Sequence, residues 1–142
     1  MRLHKDLATI FHYLRRSRQA YMESYDLRGI HGRLLIEVSE NPGISQDGLV
    51  QRLGFDKSNV ARQAAFLEEQ GYLRRQQGQD KRVLQLYITD RAAEILPGLR
   101  ECTEQSEQRL LKALTAQEQE MLQQLLQKLR IQAEGDEDER AD

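Results

Sequence analysis

The stretch from Ile44 to Thr89 constrains the fold of this chain more than any other part of the sequence. Its first half has the apolar spacing of two short helices joined by a tight turn. Its second half has the pattern of a charged hairpin around Gly78, whose return strand alternates apolar side chains with a period of two. Because a lone hairpin is only marginally stable in water, it must pack on the helices. The stretch therefore predicts a helix-turn-helix with an attached β-hairpin.

Residues that cap helix N-termini mark where four of the helices begin. Ser45 and Asp56 stand before the two short helices, and Thr89 stands before a long one. Thr115 and Glu118 are three residues apart, which is the pattern of a capping box, and they predict the start of the last helix. The sequence therefore predicts a mainly helical chain.

Two helices are predicted before this stretch, over about residues 3–23 and 27–39. Gly29 and Gly32 lie inside the second of them, where each costs up to about 1 kcal/mol relative to alanine. Either the backbone closely approaches a neighbouring helix there, or the glycines make room for a small ligand. Pro97-Gly98 lies inside the long helix that follows Thr89, so a kink or a fray is expected there.

Length and composition favour one soluble, globular domain. Of the 142 residues, 31% are charged and 39% are hydrophobic. No apolar run approaches the ~20 residues that span a bilayer, and the first residues lack the apolar core of a secretory signal. The single cysteine, Cys102, cannot form an intrachain disulfide. Together these features predict a cytoplasmic protein.

The net charge of −2 hides a segregated distribution of charge. Residues 134–142 hold six acids and one arginine, and this composition predicts a disordered acidic tail. The tail alone is net −5, so the rest of the chain is net +3. Local basic patches on a mild background suit specific DNA binding, although solvated helix faces carry arginines too.

The second short helix carries polar side chains near its N-terminal half, outside its apolar stripe. This is the part that a recognition helix presents to DNA bases. The candidates for base readout are Arg62, Asn59 and Gln63, because arginine pairs with guanine and the amides pair with adenine. The candidates for phosphate contacts at helix N-termini are Lys57, Ser58, Ser45 and Gln46. The alternative is an ordinary solvated helix face.

The hairpin adds a second basic element, which can reach the minor groove beside the recognition helix. Its candidate DNA contacts are Arg75, Lys81 and Arg82. Asp80 is close enough in sequence to aim the side chain of Arg82 at the DNA. The alternative is a plain surface ion pair between these two residues, which contributes little to stability.

A set of short elements runs in order from Leu27 to about Ala93. The elements are Asn41-Pro42-Gly43-Ile44-Ser45-Gln46, Leu49, Leu53-Gly54, Asp56-Lys57-Ser58-Asn59-Val60, Arg62, Leu67-Glu68, Gly71-Tyr72-Leu73, Arg75, Asp80-Lys81-Arg82 and Ile88-Thr89. Together they resemble the winged helix-turn-helix of the multiple-antibiotic-resistance regulator (MarR) family.

The resemblance implies a homodimer built from the N- and C-terminal helices. It implies that the helix capped by Asp56 enters the major groove of DNA, and that Arg82 enters the minor groove, oriented by Asp80. Phe66 departs from the family pattern, which more often has a charged residue at this position. Its ring either faces the protein or adds apolar surface.

The same resemblance implies a small-molecule site between the dimerisation helices and the DNA-binding lobe. Its candidate lining residues are His12, Arg16, Tyr25 and His31, whose polar groups suit an anionic or phenolic ligand. The alternative is that these residues belong to an interface or to the edge of the core.

The sequence indicates neither metal nor redox chemistry. His4, His12, His31 and Cys102 show no CxxC or HxxxH spacing, so no metal site and no cofactor are predicted. Cys102 lies on the long helix, whereas the peroxide-sensing branch of the MarR family carries its reactive cysteine near the N-terminus. No nucleophile–base arrangement and no phosphate-binding glycine loop is apparent, so an enzyme is not expected.

The sequence thus predicts a mainly α winged helix-turn-helix protein with a small β-hairpin wing and N- and C-terminal dimerisation helices. The expected parts are an N-terminal dimerisation helix (1–26), a DNA-binding lobe (27–90), C-terminal dimerisation helices (91–133) and the acidic tail (134–142). The expected function is regulation of transcription, in the form of repression by a homodimer on a pseudo-palindromic operator, with relief by a small ligand. The rival interpretation is a winged-helix module that binds protein, as an antirepressor does, without direct DNA contact.

Overall fold

The structure, a computed structural model, describes residues 1–141. The chain divides into two compact units, Met1–Ser106 and the segment that begins at Glu107. Along the chain the elements are α1 (Leu3–Glu23), α2 (His31–Glu40), β1 (Ile44–Ser45), α3 (Gln46–Leu53), α4 (Lys57–Glu69), β2 (Leu73–Gln77), β3 (Leu84–Ile88), α5 (Asp90–Leu111) and α6 (Ala116–Ala141). The predicted mainly α fold with a small β wing is confirmed. Over residues 1–141, no helix is both long enough and apolar enough to cross a membrane.

The small sheet has three antiparallel strands in the order β1-β3-β2. β2 and β3 form the predicted hairpin, in which Leu73 pairs with Ile88 and Arg75 pairs with Leu86. β1 pairs Ile44 with Leu86 on the other side of β3. The sequence pattern does not reveal β1, because two residues are too few to show an alternation. This third strand gives the hairpin support that an isolated pair of strands lacks.

The hydrophobic core of the first unit is built from buried side chains on α1 to α5 and on the hairpin. α4 contributes Val60, Ala64 and Leu67, all fully buried, which confirms the predicted apolar stripe. Removing one large aliphatic side chain from water stabilises a fold by about 1.5–3 kcal/mol. α4 is therefore anchored along one face, and its opposite face is left to solvent.

The second helix is shorter than the sequence pattern predicts. α2 begins at His31, and Gly29 lies before it with a φ of +58°. Glycine adopts this left-handed conformation readily, so Gly29 shapes the loop and does not interrupt a helix. Gly32 does lie in α2, and a Cβ there would come 2.8 Å from the sulfur of Met22 on α1. Close helix packing is therefore the reason for Gly32.

α5 continues as helix through Pro97 and Gly98, so the alternative of a fray at these residues is wrong. A Cβ at Gly98 would lie 2.2 Å from the hydroxyl oxygen of Tyr21. That hydroxyl donates a hydrogen bond to the carbonyl of Ile95 at 3.1 Å. Gly98 thus leaves the space that the Tyr21 ring occupies where α1 packs on α5.

The second unit contains the end of α5 and all of α6. Thr115 and Glu118 form the predicted capping box, because the N–H of Thr115 donates to Glu118 Oε1 at 2.9 Å and the N–H of Glu118 donates to Thr115 Oγ1 at 3.2 Å. The hydrogen bond from the Thr115 N–H lowers the pKa of Glu118. Two reciprocal hydrogen bonds therefore stabilise the first turn of α6.

The C-terminal segment differs from the expected disordered tail, because α6 continues through Ala141. The amide of Gln132 donates to Asp136, one turn ahead, at 3.0 Å. Side-chain pairs at this spacing stabilise exposed helices by about 0.2–0.5 kcal/mol each. Asp142, the last residue of the expected tail, lies outside the described residues.

Candidate nucleic-acid interface

Two caps and a glycine turn set the geometry of α3 and α4. Ser45 Oγ accepts a backbone N–H of the first turn of α3 at 3.0 Å, and Gly54 ends this helix with a φ of +67°. The Asp56 carboxylate accepts the N–H of Asn59 at 3.1 Å and so caps α4. The hydroxyl of Ser58 and then this N–H lower the pKa of Asp56, which keeps the cap negatively charged at the helix N-terminus. The predicted caps are confirmed, and they fix the direction in which α4 leaves the turn.

Arg62 lies on the face of α4 opposite the buried stripe, and Lys57, the first residue of this helix, is also exposed. The Nζ of Lys57 is 3.3 Å from Oδ1 of Asp47, but the two side chains are 78% and 72% exposed, so the pair is weak. The Nε of Arg62 donates to the carbonyl of Ser58 at 3.4 Å. This long contact leaves the other nitrogens of the guanidinium without a hydrogen-bond partner among residues 1–141. Both cations are therefore available to a ligand.

The wing presents Arg82, whose side chain is 90% exposed, in a fixed orientation. Its backbone N–H donates to Oδ1 of Asp80 at 3.0 Å, and its Nε donates to the same oxygen at 3.2 Å. The backbone N–H and then the side chain of Arg82 lower the pKa of Asp80, so this carboxyl group stays charged. Lys81, between the two, is also exposed. The expected contact between Asp80 and Arg82 is present.

Four other residues predicted to contact DNA are engaged or partly buried within the protein. The Nε of Arg75 lies 3.4 Å from Oε2 of Glu68, and the arginine side chain is only 23% exposed. Gln46 has its Oε1 buried, without a hydrogen-bond partner in the described part of the chain. The hydroxyl groups of Ser45 and Ser58 are engaged at the two helix N-termini. The exposed cations of the candidate surface are therefore Lys57, Arg62, Lys81 and Arg82.

A buried histidine at the start of α2 contacts α4 through Gln63. His31 is 2% exposed, and its Nδ1 accepts the backbone N–H of Arg28 at 3.0 Å. Its Nε2 lies 2.7 Å from Oε1 of Gln63. The amide nitrogen of Gln63 in turn donates to Oδ1 of Asn59 at 3.1 Å. Gln63 and Asn59, both predicted to read bases, are thus bound to each other and to the protein interior.

The environment of His31 also settles the orientation of Phe66. The Phe66 ring stacks on the imidazole, with the ring centroids 4.8 Å apart and the planes 8° apart, so Phe66 faces the protein. Burial lowers the pKa of His31, although the hydrogen bond to Gln63 acts in the opposite direction. Sequence reasoning missed this arrangement because His31 and Gln63 are 32 residues apart and no periodic pattern links them.

The four residues proposed to line a ligand pocket have different environments. His12, Arg16 and Tyr25 are exposed, whereas His31 is buried. Over residues 1–141, no hydrogen bond or ring contact joins any two of them, and the ring of Tyr25 instead packs near that of Tyr21 at 5.3 Å. The described part of the chain also contains no group of three His, Cys, Asp or Glu side chains that could hold a metal ion.

Arg18 on α1 is a buried charge that the sequence analysis did not identify. It is 9% exposed, and its Nε is buried with no hydrogen-bond partner among the described residues. Burial, and then the nearby charges of Arg33 and Arg15, lower the pKa of Arg18. Arg15 and Arg16 lie on the same helix, and no local motif marks Arg18 as the buried one.

A helix pair whose second member exposes cations, beside a hairpin that holds an arginine outward, defines a winged helix-turn-helix protein of the DNA-binding class. A model of the MarR family matches residues 25–83. Over 103 residues the chain is 32% identical to YybA, an uncharacterized HTH-type transcriptional regulator of Bacillus subtilis, and the match covers 72% of this chain and 69% of that protein. The chain belongs to the MarR family of transcriptional regulators, and it is not an enzyme.

Two further relatives support the family. The transcriptional repressor MprA of Escherichia coli (strain K12) is 33% identical over 101 residues, which are 68% of this chain and 55% of MprA. The crystal structure of a MarR family regulator from Listeria monocytogenes in complex with a 26-mer DNA is similar, with a TM-score of 0.85 and 26% identity. That likeness covers 93% of this chain and 89% of the other.

Proposed function

We propose that the protein represses transcription in the cytoplasm by binding a pseudo-palindromic operator as a homodimer. The observation that carries this proposal is the exposure of two cations on α4, Arg62 opposite the buried stripe that anchors the helix and Lys57 at its N-terminus. MprA, which carries the name repressor, and the Listeria regulator bound to DNA support both the direction of regulation and the class of ligand.

We expect the exposed cations to contact different parts of the DNA. α4 enters the major groove, where Arg62 reaches a base edge and Lys57 reaches a phosphate. The wing lies over the adjacent minor groove, where the negative potential attracts Arg82. Asp80 limits the rotamers of Arg82 before binding, so less conformational entropy is lost when the arginine inserts.

Exposed apolar side chains on two helices support dimerisation. α1 exposes Leu3, Ile10 and Phe11, and α6 exposes Met121, Leu125, Leu126, Leu129 and Ile131. Soluble monomers rarely leave many large apolar side chains in water along a helix, so a second copy of the chain is the proposed cover. A two-fold dimer presents two copies of α4 about one helical turn of DNA apart, which is why the operator is expected to be an inverted repeat.

The buried Arg18 supports the proposal that a small ligand relieves repression. A buried Nε without a hydrogen-bond partner among residues 1–141 is costly, and a carboxylate or phenolate ligand would satisfy it. Arg15 and Arg33 nearby add positive charge to the same region. A ligand of this kind relieves repression if it binds more tightly to the form of the dimer whose two recognition helices are wrongly spaced for DNA.

Selection of bound fragments from a random DNA pool tests the proposal. The expected result is enrichment of an inverted repeat whose halves are about 10 base pairs apart. Arg62→Ala should relax the preference at one base pair in each half, at a cost of about 1–3 kcal/mol per site. Lys112→Ala removes an exposed cation elsewhere and serves as the matched control. Selection of no sequence by the folded dimer would instead favour the protein-binding interpretation of the winged helix.

A further inference from the structure

We propose that His31 and Gln63 are positioning residues that determine which end of the Asn59 amide faces DNA, and that they thereby set the base preference of α4. The inference rests on the proposed function, since it requires α4 to lie in the major groove. It goes further by assigning a specificity role to a buried residue on a different helix.

The direction of the hydrogen bonds is fixed by the backbone. A backbone N–H can only donate, so the contact from Arg28 at 3.0 Å makes Nδ1 of His31 an acceptor. The neutral imidazole then carries its proton on Nε2, which donates to Oε1 of Gln63 at 2.7 Å. Burial lowers the pKa of His31, which keeps this neutral form dominant at neutral pH.

The hydrogen bond from His31 also fixes the orientation of the Gln63 amide, and through it the orientation of the Asn59 amide. With its Oε1 engaged by His31, Gln63 directs its amide nitrogen towards Oδ1 of Asn59 at 3.1 Å. An amide nitrogen only donates, so the oxygen of Asn59 is the end held towards the protein. The NH₂ group of Asn59 makes no hydrogen bond among residues 1–141, so its N–H groups remain able to donate to a base. Asn59 thus presents a donor at the surface of α4.

A donor on the recognition helix selects bases by their acceptors. In the major groove, guanine offers N7 and O6, whereas cytosine offers only an N4 donor. A freely rotating asparagine pairs with adenine through both ends of its amide, which requires the oxygen to face the base. Asn59, held as it is, favours guanine over cytosine at the base it meets, and it loses the paired contact with adenine.

The arrangement is rigid because its first member is fully enclosed. His31 is hydrogen-bonded at both ring nitrogens and stacked on Phe66, so a ring flip would break both hydrogen bonds. Gln63 is predicted to read adenine, but both ends of its amide are bound to other side chains of the protein, so we assign it a positioning role.

The test uses the full-length protein and compares base preferences after selection from a random DNA pool. His31→Phe keeps an aromatic ring against Phe66 but removes both hydrogen bonds of His31. Gln63→Leu removes the side chain that joins His31 to Asn59. Each variant should lose the preference for guanine over cytosine at the same base pair in each half-site as Asn59→Ala does. The expected loss is roughly fivefold, the ratio for one neutral hydrogen bond of about 1 kcal/mol. The double variant His31→Phe/Asn59→Ala should lose no more than Asn59→Ala alone.

A merely structural role for His31 would lower the thermal midpoint and the affinity for all sequences without changing the preference. An unchanged preference in folded Gln63→Leu, or full additivity in the double variant, overturns the inference. If His31→Phe does not fold, Gln63→Leu alone decides, because it changes only a partly exposed side chain on α4. If the wild-type protein enriches no sequence, the proposed function has failed. If Arg62→Ala alters the selected DNA sequence but His31→Phe and Gln63→Leu do not, the proposed function stands and only the positioning role of His31 and Gln63 has failed.

Discussion

Replacing Gly98 with alanine tests how α1 packs on α5. In an ordinary helix interior this substitution stabilises the protein by about 1 kcal/mol, because alanine is the better helix former. At Gly98, however, the new Cβ would lie 2.2 Å from the hydroxyl oxygen of Tyr21 and 2.3 Å and 2.6 Å from two ring carbons. Atoms cannot approach this closely, so the ring must move and its hydrogen bond to the carbonyl of Ile95 is lost.

The contributions have opposite signs and can be compared. Better helix propensity contributes about 1 kcal/mol of stability. Overpacking costs about 1–3 kcal/mol, and the lost hydrogen bond costs about 1 kcal/mol more. The free energy of unfolding of Gly98→Ala should therefore fall by about 1–3 kcal/mol, against the trend for glycine in helices.

Two other helical glycines provide matched controls. Gly135→Ala on α6 meets nothing within 4 Å, so it should be neutral or stabilising. Gly32→Ala meets the sulfur of Met22 at 2.8 Å, and the flexible thioether can move, so its cost should be smaller than that of Gly98→Ala. Urea unfolding at one protein concentration gives the order directly. If Gly98→Ala proves as stable as Gly135→Ala, or if removing the ring with Tyr21→Ala leaves the cost of Gly98→Ala unchanged, the packing argument is wrong.

Three further predictions concern charge, capping and pH. Lys57→Ala should weaken binding to all DNA sequences. It should also reduce the slope of log affinity against log salt by about 0.9 for each lost phosphate contact, or about 1.8 for a dimer. An unchanged slope in DNA titrations would exclude the phosphate contact. Thr115→Ala should lower the free energy of unfolding by about 1 kcal/mol through loss of the cap, whereas Thr115→Ser should not. Because burial lowers the folded-state pKa of His31, the unfolded chain takes up its proton first. Stability should therefore be intact above the ordinary pKa of about 6.5 and fall as the pH drops through the folded-state value, and unfolding curves of His31→Gln should show a weaker dependence.

The elements that the sequence predicted depend on short-range chemistry. Ser45 and Asp56 cap their helices through N–H groups three residues ahead, so the signal lies within one turn. The exposed position of Arg62 follows from the periodicity of the buried stripe on the same helix, whereas Lys57 is exposed because it is the first residue of α4. The contact between Asp80 and Arg82 spans only two residues. Local patterns were therefore sufficient for the helix-turn-helix and for the tip of the wing.

The features that the sequence did not predict depend on residues far apart in the chain. The engagement of Gln63 by His31 and the pairing of Arg75 with Glu68 exist only after α2, α4 and β2 have packed. The sequence predicts too early a start for α2 because the apolar spacing continues into the preceding loop, where Gly29 adopts a left-handed conformation. Long-range packing decides such details, and a single sequence carries no pattern for it.

Hydroxyl-radical footprinting of the selected operator tests the central claim most directly. If two copies of α4 meet successive major grooves from one side, the protein should protect two backbone patches on the same face of the duplex, about one helical turn apart. Further protection should appear at the flanking minor grooves and disappear in Arg82→Ala. A single protected patch, or two patches on opposite faces of the DNA, would contradict the account.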